Sequence, residues 1–331
     1  MKLISIIIPI YNVEKYISKC ISSVYDQDLE YDQFEVIIVD DESPDNSLEI
    51  AKNIAIDHAN INIISQKNKG LGGARNTGIL NAEGKYLLFL DSDDYLLPNT
   101  LHNITKIAQN DELDILEFGA EGITSNGDVV YRAEKTTEGK IYDGVAYYNT
   151  LKYMNSACNK LYKRELLVEN KLLFLEQLYL EDFEFNTRVF LAAKRVMAIN
   201  NIVAHYLQSP DSITRNTSLA KKEKMLSDLV KIIMITKQLK FDYATDITNK
   251  DLDNYFGTRL SFLNVTLFYQ LFKNSRPYKK FKQIKEQLEK EGGFCVSSSL
   301  EERSKDLFRK IMLKNFWLFK FTQPLKSLFA S

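Results

Sequence analysis

Tyr86-Leu87-Leu88-Phe89-Leu90-Asp91-Ser92-Asp93-Asp94 decides the fold. A continuous apolar run is the pattern of a strand buried on both faces of a parallel sheet, and here it gives way in one step to acids. In open α/β sheets ligands collect beyond the carboxyl ends of the strands, so Asp91 and Asp93 stand where chemistry is usually done. Mg²⁺ and Mn²⁺ take oxygen ligands, commonly one or two carboxylates together with substrate phosphates, so the two acids can serve a divalent cation and a nucleotide diphosphate at once. Acidic clusters after strands are also ordinary solvated turns or helix N-caps, and the pattern needs company before it means more.

That company lies upstream. Strand-like runs at Leu3 to Pro9, Phe34 to Val39, Ile61 to Ser65, Tyr86 to Leu90 and Leu113 to Phe118 alternate with helical patterns near 14–26, 46–57, 72–82 and 98–109. This alternation predicts βαβ units in a parallel sheet. The second helix takes Asp45 or Asn46 as its N-cap after the turn-forming Ser43-Pro44, which puts Asp40 and Asp41 at another strand end. The glycines of Asn68-Lys69-Gly70-Leu71-Gly72-Gly73-Ala74-Arg75 permit close backbone approach to a ligand. Neither Gly-x-x-x-x-Gly-Lys-Ser/Thr nor Gly-x-Gly-x-x-Gly is present, which disfavours a P-loop NTPase or a dinucleotide-binding dehydrogenase. Arg75 can bring a cation to a diphosphate, although an arginine in the first turns of a helix is more often simply solvated.

Residues 121–160 read as an excursion of turns and short strands, and residues 219–331 lose strand character in favour of helix. The simplest cut falls near 215, giving an α/β domain over 1–215 and a helical region over 216–331. Three cysteines, Cys20, Cys158 and Cys295, are odd in number and far apart, so they imply neither a disulfide framework nor a cysteine metal site, and a reducing compartment fits. The opening run Leu3 to Pro9 is too short for a signal sequence and reads as the first strand. No window approaches the roughly twenty apolar residues that span a bilayer. The net charge of −1 hides an asymmetry, because residues 273–331 hold 14 Lys and Arg against 6 Asp and Glu, leaving residues 1–272 at −9. Asp306 to Lys320 mixes bulky apolar residues with cations, either as a helix lying on an anionic membrane or as a terminal helix packed on its own domain with a solvated basic face. The acidic front and the lack of a recognised module argue against nucleic acid as a partner.

Taken together the motifs resemble the family-two glycosyltransferases, the large inverting group with the GT-A nucleotide-sugar-binding fold. The resemblance covers roughly residues 3–215. It is carried by Ser5-Ile6-Ile7-Ile8-Pro9-Ile10-Tyr11-Asn12, by Val39-Asp40-Asp41-Glu42-Ser43, by Asn68-Lys69-Gly70 with Ala74-Arg75-Asn76, and by Phe89-Leu90-Asp91-Ser92-Asp93-Asp94. Asn159-Lys160-Leu161-Tyr162 and Glu181-Asp182-Phe183-Glu184-Phe185 add the pattern of the branch that builds bacterial capsules, exopolysaccharides and lipopolysaccharide sugars. The resemblance implies a mostly parallel sheet flanked by helices, with a helical C-terminal region. Pro9 to Tyr11 and Asp41 would hold the uracil and ribose of a UDP-sugar, with Asp40 beside them, and Arg75 would lie near the nucleotide. Asp91, next to Ser92, would bind ribose or donor sugar, Asp93 would coordinate Mn²⁺ or Mg²⁺, and the Glu181-Asp182 pair would sit on the acceptor side with Asp182 as catalytic base. A lone histidine, His205, matches a region where some relatives place a further metal ligand, although such residues are more commonly structural. Ala157-Cys158 stands where relatives commonly carry a tryptophan, which removes a stacking surface for substrate.

The implied activity is an inverting, metal-dependent transfer from a nucleotide sugar, UDP-linked by the resemblance, to a hydroxyl of a growing surface glycan or lipid-linked glycan. The implied location is the cytoplasm, with peripheral contact at the inner face of the bacterial inner membrane. Two other classes stay open. One is a non-catalytic nucleotide-sugar-binding scaffold of a polysaccharide assembly complex. The other is a sugar nucleotidyltransferase, which would release pyrophosphate, although its glycine-rich basic N-terminal loop has no counterpart here.

Overall fold

The apolar runs become strands. The computed structural model describes residues 2–152, 154–208, 218–243 and 249–321, and the chain clusters into two units, Met1–Asn216 and Thr217–Ser331. The first unit runs β1 (Ile4–Ile10), α1 (Ile17–Tyr25), β2 (Phe34–Asp40), α2 (Ser47–Ala55), β3 (Ile61–Ser65), α3 (Gly70–Asn81), β4 (Tyr86–Phe89), β5 (Tyr95–Leu96), α4 (Leu101–Asn110) and β6 (Ile115–Ile123). It continues through β7 (Val129–Ala133), α5 (Gly144–Leu151), β8 (Lys160–Lys163), α6 (Arg164–Glu169), α7 (Glu181–Ala192) and β9 (Val196–Leu207). The break read near 215 falls among residues 209–217, outside those described.

One sheet of order β3-β2-β1-β4-β8-β6-β9-β5 carries the unit, with β7 paired to β6. Its first half is parallel, as the alternation predicts: β1 lies between β2 and β4, and β3 flanks β2. The second half departs from a parallel sheet. Strand β8 inserts antiparallel between β4 and β6, β9 runs parallel to β6, and β5 and β7 join antiparallel. Over 121–160 the expected turns and short strand appear as β7 and its flanks, and the departure is helix α5, capped by the Asp143 side chain, which accepts from the backbone N–H of Ala146 at 2.9 Å.

Buried isoleucines and valines of β1 and β2 form the centre, and α3 packs on it through Gly78, where a Cβ would stand 2.3 Å from Cγ2 of Ile7. A second close approach positions α7. A Cβ on Gly144 would lie 2.0 Å from the carbonyl oxygen of Phe190, a backbone atom that cannot rotate away. Gly144→Ala is therefore expected to cost about 2 kcal/mol of stability as an overpacking change and to lower activity with it, since α7 begins at Glu181 and Asp182. Urea unfolding and an activity assay on the same preparation check both.

The second unit contains α8 (Leu219–Asp242), α9 (Lys250–Lys273), α10 (Tyr278–Lys290) and α11 (Arg303–Phe308), followed by a π turn over Arg309–Leu313 and a 3₁₀ turn over Phe316–Phe321. The packing reading of the basic stretch holds for part of it. Phe308, Met312, Leu313 and Phe319 are buried in the unit, with Phe281 and Phe319 rings 4.4 Å apart, while other apolar residues of the same stretch stay exposed. Asp306 anchors it by accepting from Lys310 Nζ at 2.8 Å, the Arg309 Nε at 2.8 Å and the Leu300 N–H at 3.0 Å; burial opposes its ionisation, and these contacts, Lys310 first, hold its carboxyl below the usual range. Among the described residues no helix is long and apolar enough to cross a membrane.

Candidate active site

The acids gather at the carboxyl ends of β2 and β4, and the β4 group meets the start of α7. An aromatic cluster sets the spacing. Phe89 precedes Asp91 by two residues and Phe185 follows Asp182 by three, and both pack with Phe174, whose ring stacks on Phe185 at 3.8 Å and meets Phe89 edge-on at 5.3 Å. Burying three rigid rings together fixes the strand end against the helix start.

Arg75 lies at the middle, 1% exposed. Its Nη1 donates to Asp182 Oδ1 at 2.6 Å and to Glu181 Oε1 at 3.1 Å, and its Nη2 donates to Asp91 Oδ1 at 2.7 Å and to the Cys158 sulfur at 3.6 Å. The Phe174 ring lies 5.3 Å from the guanidinium carbon. The arginine expected near the nucleotide thus has its guanidinium among protein carboxylates. A buried guanidinium is tolerable only with acid partners, and three carboxylates take up its fork, so Arg75 ties the strand-end acid to the acceptor-side pair. Sequence reasoning missed this function because the partners stand 16, 106 and 107 residues away.

Asp182 is held from its other side by the Ala157 N–H, which donates to Oδ2 at 3.0 Å. Burial lifts its carboxyl above the ordinary range, with Arg75 acting in the opposite sense. Burial and the neighbouring Asp182 lift Glu181 to about 7. An acid whose folded value exceeds its unfolded one keeps its proton longer in the native state, so the native state loses ground as pH rises from the unfolded value of 4.5 toward 7 and the effect levels off above that. Unfolding free energy is expected to fall by on the order of 2 kcal/mol between pH 5 and 7.5, and by less in Glu181→Gln. Urea titrations of both proteins at the two pH values check the difference.

Asp91 is partly exposed, Ser92 is buried, and Asp94 turns inward to accept from the Leu207 N–H at 2.8 Å. Burial, then the charge of Asp91, raises Asp93 to about 6. Burial and their mutual repulsion make Asp93 and Asp94 reluctant to ionise beside Asp91, and a divalent cation sharing its coordination with a diphosphate would favour the charged carboxylates. Among the described residues no three His, Cys, Asp or Glu side chains assemble as a metal cage. His205 in particular does not join Asp91 and Asp93. Its Nδ1 lies 3.2 Å from the Tyr95 hydroxyl and its Nε2 3.1 Å from Glu121, which also pairs with Arg132 at 2.6 Å, because β9 runs between β5 and β6 and places the ring between those two side chains. The contacts of His205 with Tyr95 and Glu121 come from strand pairing that sequence alone did not reveal.

Asp41 also differs from a free cleft carboxylate. Its Oδ1 accepts from the Gln66 side chain at 2.7 Å and the Lys69 N–H at 2.9 Å, and its Oδ2 from the Gly70 N–H at 2.8 Å. It holds the loop entering α3, where Gly70 has φ +75°, a conformation that favours glycine. Asp40 is buried and accepts from the Ser43 N–H at 3.1 Å, Pro9 is buried in β1, and Tyr11 just beyond it is half exposed.

The chain matches the Glycosyl transferase family 2 over residues 5–170. It is 35% identical over 218 residues to the uncharacterized glycosyltransferase EpsJ of Bacillus subtilis, covering 64% of this chain and 63% of that one. The chain spans between 31% and 63% of the lengths of the first curated relatives it matches. Residues 1–349 of Staphylococcus aureus TarS, solved with UDP-GlcNAc, superpose with a TM-score of 0.62 at 23% identity, over 96% of this chain and 81% of that one. The mannosyltransferase PcManGT of Pyrobaculum calidifontis, solved with GDP-Man and Mn²⁺, gives 0.56 at 14% identity, over 99% and 83%. At these identities the likeness shows a shared GT-A fold.

Proposed function

The chain belongs to glycosyl transferase family 2, and from that premise we propose that it transfers a sugar with inversion from a UDP-sugar to a hydroxyl of a bacterial surface glycan, using Asp182 as base. The observation that carries this reading is the position of Asp182, fixed between Arg75 and the Ala157 N–H at the start of α7.

The acceptor hydroxyl loses its proton to the Asp182 carboxylate as its oxygen bonds to the anomeric carbon. The bond from that carbon to the diphosphate oxygen breaks, and the nucleoside diphosphate leaves with the electron pair. Burial makes Asp182 a stronger base than an exposed aspartate. Glu181 shares the Arg75 clamp and, with its proton retained to near neutral pH, limits the negative charge beside the base. On the donor side the Pro9–Tyr11 segment, Asp40, Asp91 and Ser92 line the nucleotide and sugar. The exposed Tyr11 ring offers a base-stacking surface, and Asp41 acts through the loop it holds. Asp93, with Asp91, would hold Mn²⁺ or Mg²⁺, which when bound offsets charge growing on the leaving diphosphate. Support for a metal comes from the raised Asp93 carboxyl and from the Mn²⁺ in PcManGT. His205 is left out of the ligand set.

The UDP assignment draws on the UDP-GlcNAc complex of TarS, and the surface-glycan acceptor on the polymer-building names among the relatives, such as poly(ribitol-phosphate) β-N-acetylglucosaminyltransferase. A lipid-carried acceptor would be met at the cytoplasmic face of the bacterial membrane. Calorimetry tests the donor side. UDP is expected to bind in Mn²⁺ at least about tenfold more tightly than GDP, with Asp93→Ala losing that metal-dependent gain. Equal binding of both nucleotides, or no effect of metal, would refute the donor assignment.

A further inference from the structure

The C-terminal stretch of the helical unit has two faces, and only one is explained by packing. Asp306, Phe308, Arg309, Met312, Leu313 and Phe319 are buried. Leu307, Lys310, Ile311, Lys314, Trp317 and Phe321 are exposed, spread along α11, the π turn and the 3₁₀ turn that follow one another here. The solvent side of an ordinary surface helix is polar. Here it carries four large apolar side chains, with Trp317 and Phe321 each 57% exposed and their rings 6.1 Å apart, edge to face.

Its charge is one-sided. From Arg303 to Phe321 the chain holds six Lys and Arg against one acid, Asp306, and that acid is already paired to Arg309 and Lys310. Lys314 makes no ion pair among the described residues. A soluble polyanion would satisfy these cations but leave Leu307, Ile311 and the two rings in water. A lipid headgroup layer satisfies both. Apolar side chains enter the boundary with the acyl region, an indole sits at headgroup level, and lysines extend to anionic phosphates.

We propose that the exposed face of residues 303–321 docks on the surface of an anionic lipid bilayer. The exposed apolar residues and their charge carry this inference independently of the transferase reading, and it assigns the contact to named residues rather than to the tail as a whole.

Trp317 is the sole tryptophan of the chain, so intrinsic emission excited at the red edge reports this face alone. The full chain is titrated with phosphatidylcholine vesicles with and without phosphatidylglycerol, and binding is read by emission and by co-sedimentation. With phosphatidylglycerol the emission shifts to shorter wavelength and the protein sediments, partitioning at least about tenfold better than into pure phosphatidylcholine. Leu307→Ser with Ile311→Ser, and separately Lys314→Glu with Lys320→Glu, each weaken partition by about tenfold or more without changing the circular dichroism. No shift with phosphatidylglycerol vesicles overturns the proposal, as does equal partition into both lipids. An equal shift with soluble polyphosphate would mark a polyanion site instead. Emission in lipid-free buffer that shifts with protein concentration as dimers form on gel filtration would mark an interface between copies. Either result overturns lipid docking.

Discussion

Arg75→Met lowers the unfolding free energy of the N-terminal unit by about 3–5 kcal/mol and abolishes transfer, because it strips the shared cation from Asp91, Glu181 and Asp182 at once. Side chains of the three acids are only 13–31% exposed, so water replaces the lost partner poorly. Arg75→Lys is expected to recover part of the stability and little of the rate. An ammonium is a point charge and cannot reproduce a fork that reaches acids on two elements. Urea unfolding and nucleotide diphosphate release separate the two effects. An Arg75→Met protein of near wild-type stability, impaired only in donor KM, would make Arg75 a diphosphate ligand rather than a clamp.

Asp182→Asn is expected to lower kcat by about 10²- to 10⁴-fold, the range for loss of a positioned general base. Asparagine keeps the volume, but its single carbonyl oxygen can accept from Arg75 or from the Ala157 N–H and not from both, so the variant loses one of these two contacts on the acceptor side and leaves the donor side in place. Donor KM and UDP affinity should then change by no more than about twofold, the signature of an interaction used only in the transition state. Steady-state kinetics at saturating acceptor and UDP calorimetry test this split. A kcat near wild type would remove Asp182 from the base role.

The parallel half of the sheet was legible because its strands are continuous apolar runs buried on both faces, as in Ile6-Ile7-Ile8 and Leu87-Leu88-Phe89. The antiparallel insertion was not. Strand β8 is four residues long and begins and ends with lysine, and Lys160 is fully buried only because the carbonyls of Met154 and Ser156 and the Asn159 side chain accept from its ammonium. Such a residue carries no apolar signal. Strand β9 is interrupted by Asn200-Asn201, which masks its length.

The candidate site divides in the same way. Asp91, Asp93, Glu181 and Asp182 were legible as acids at the ends of elements, and the fold brings the strand-end and helix-start acids to one arginine. What each neighbouring group does was not legible, since it depends on contacts made at long range. Asp41, expected beside uracil and ribose, accepts from the α3 entry loop, and His205, read either as a metal ligand or as a structural residue, meets Glu121 and Tyr95.

The most direct measurement is release of nucleoside diphosphate from a panel of nucleotide sugars with Mn²⁺ or Mg²⁺, run beside a pyrophosphate assay with nucleoside triphosphates and sugar 1-phosphates. A sugar transferase releases the diphosphate, with one donor preferred, only when metal is present, and without pyrophosphate in the parallel assay. Pyrophosphate release, with no diphosphate from any nucleotide sugar, would contradict the transferase reading and leave a nucleotidyltransferase in its place.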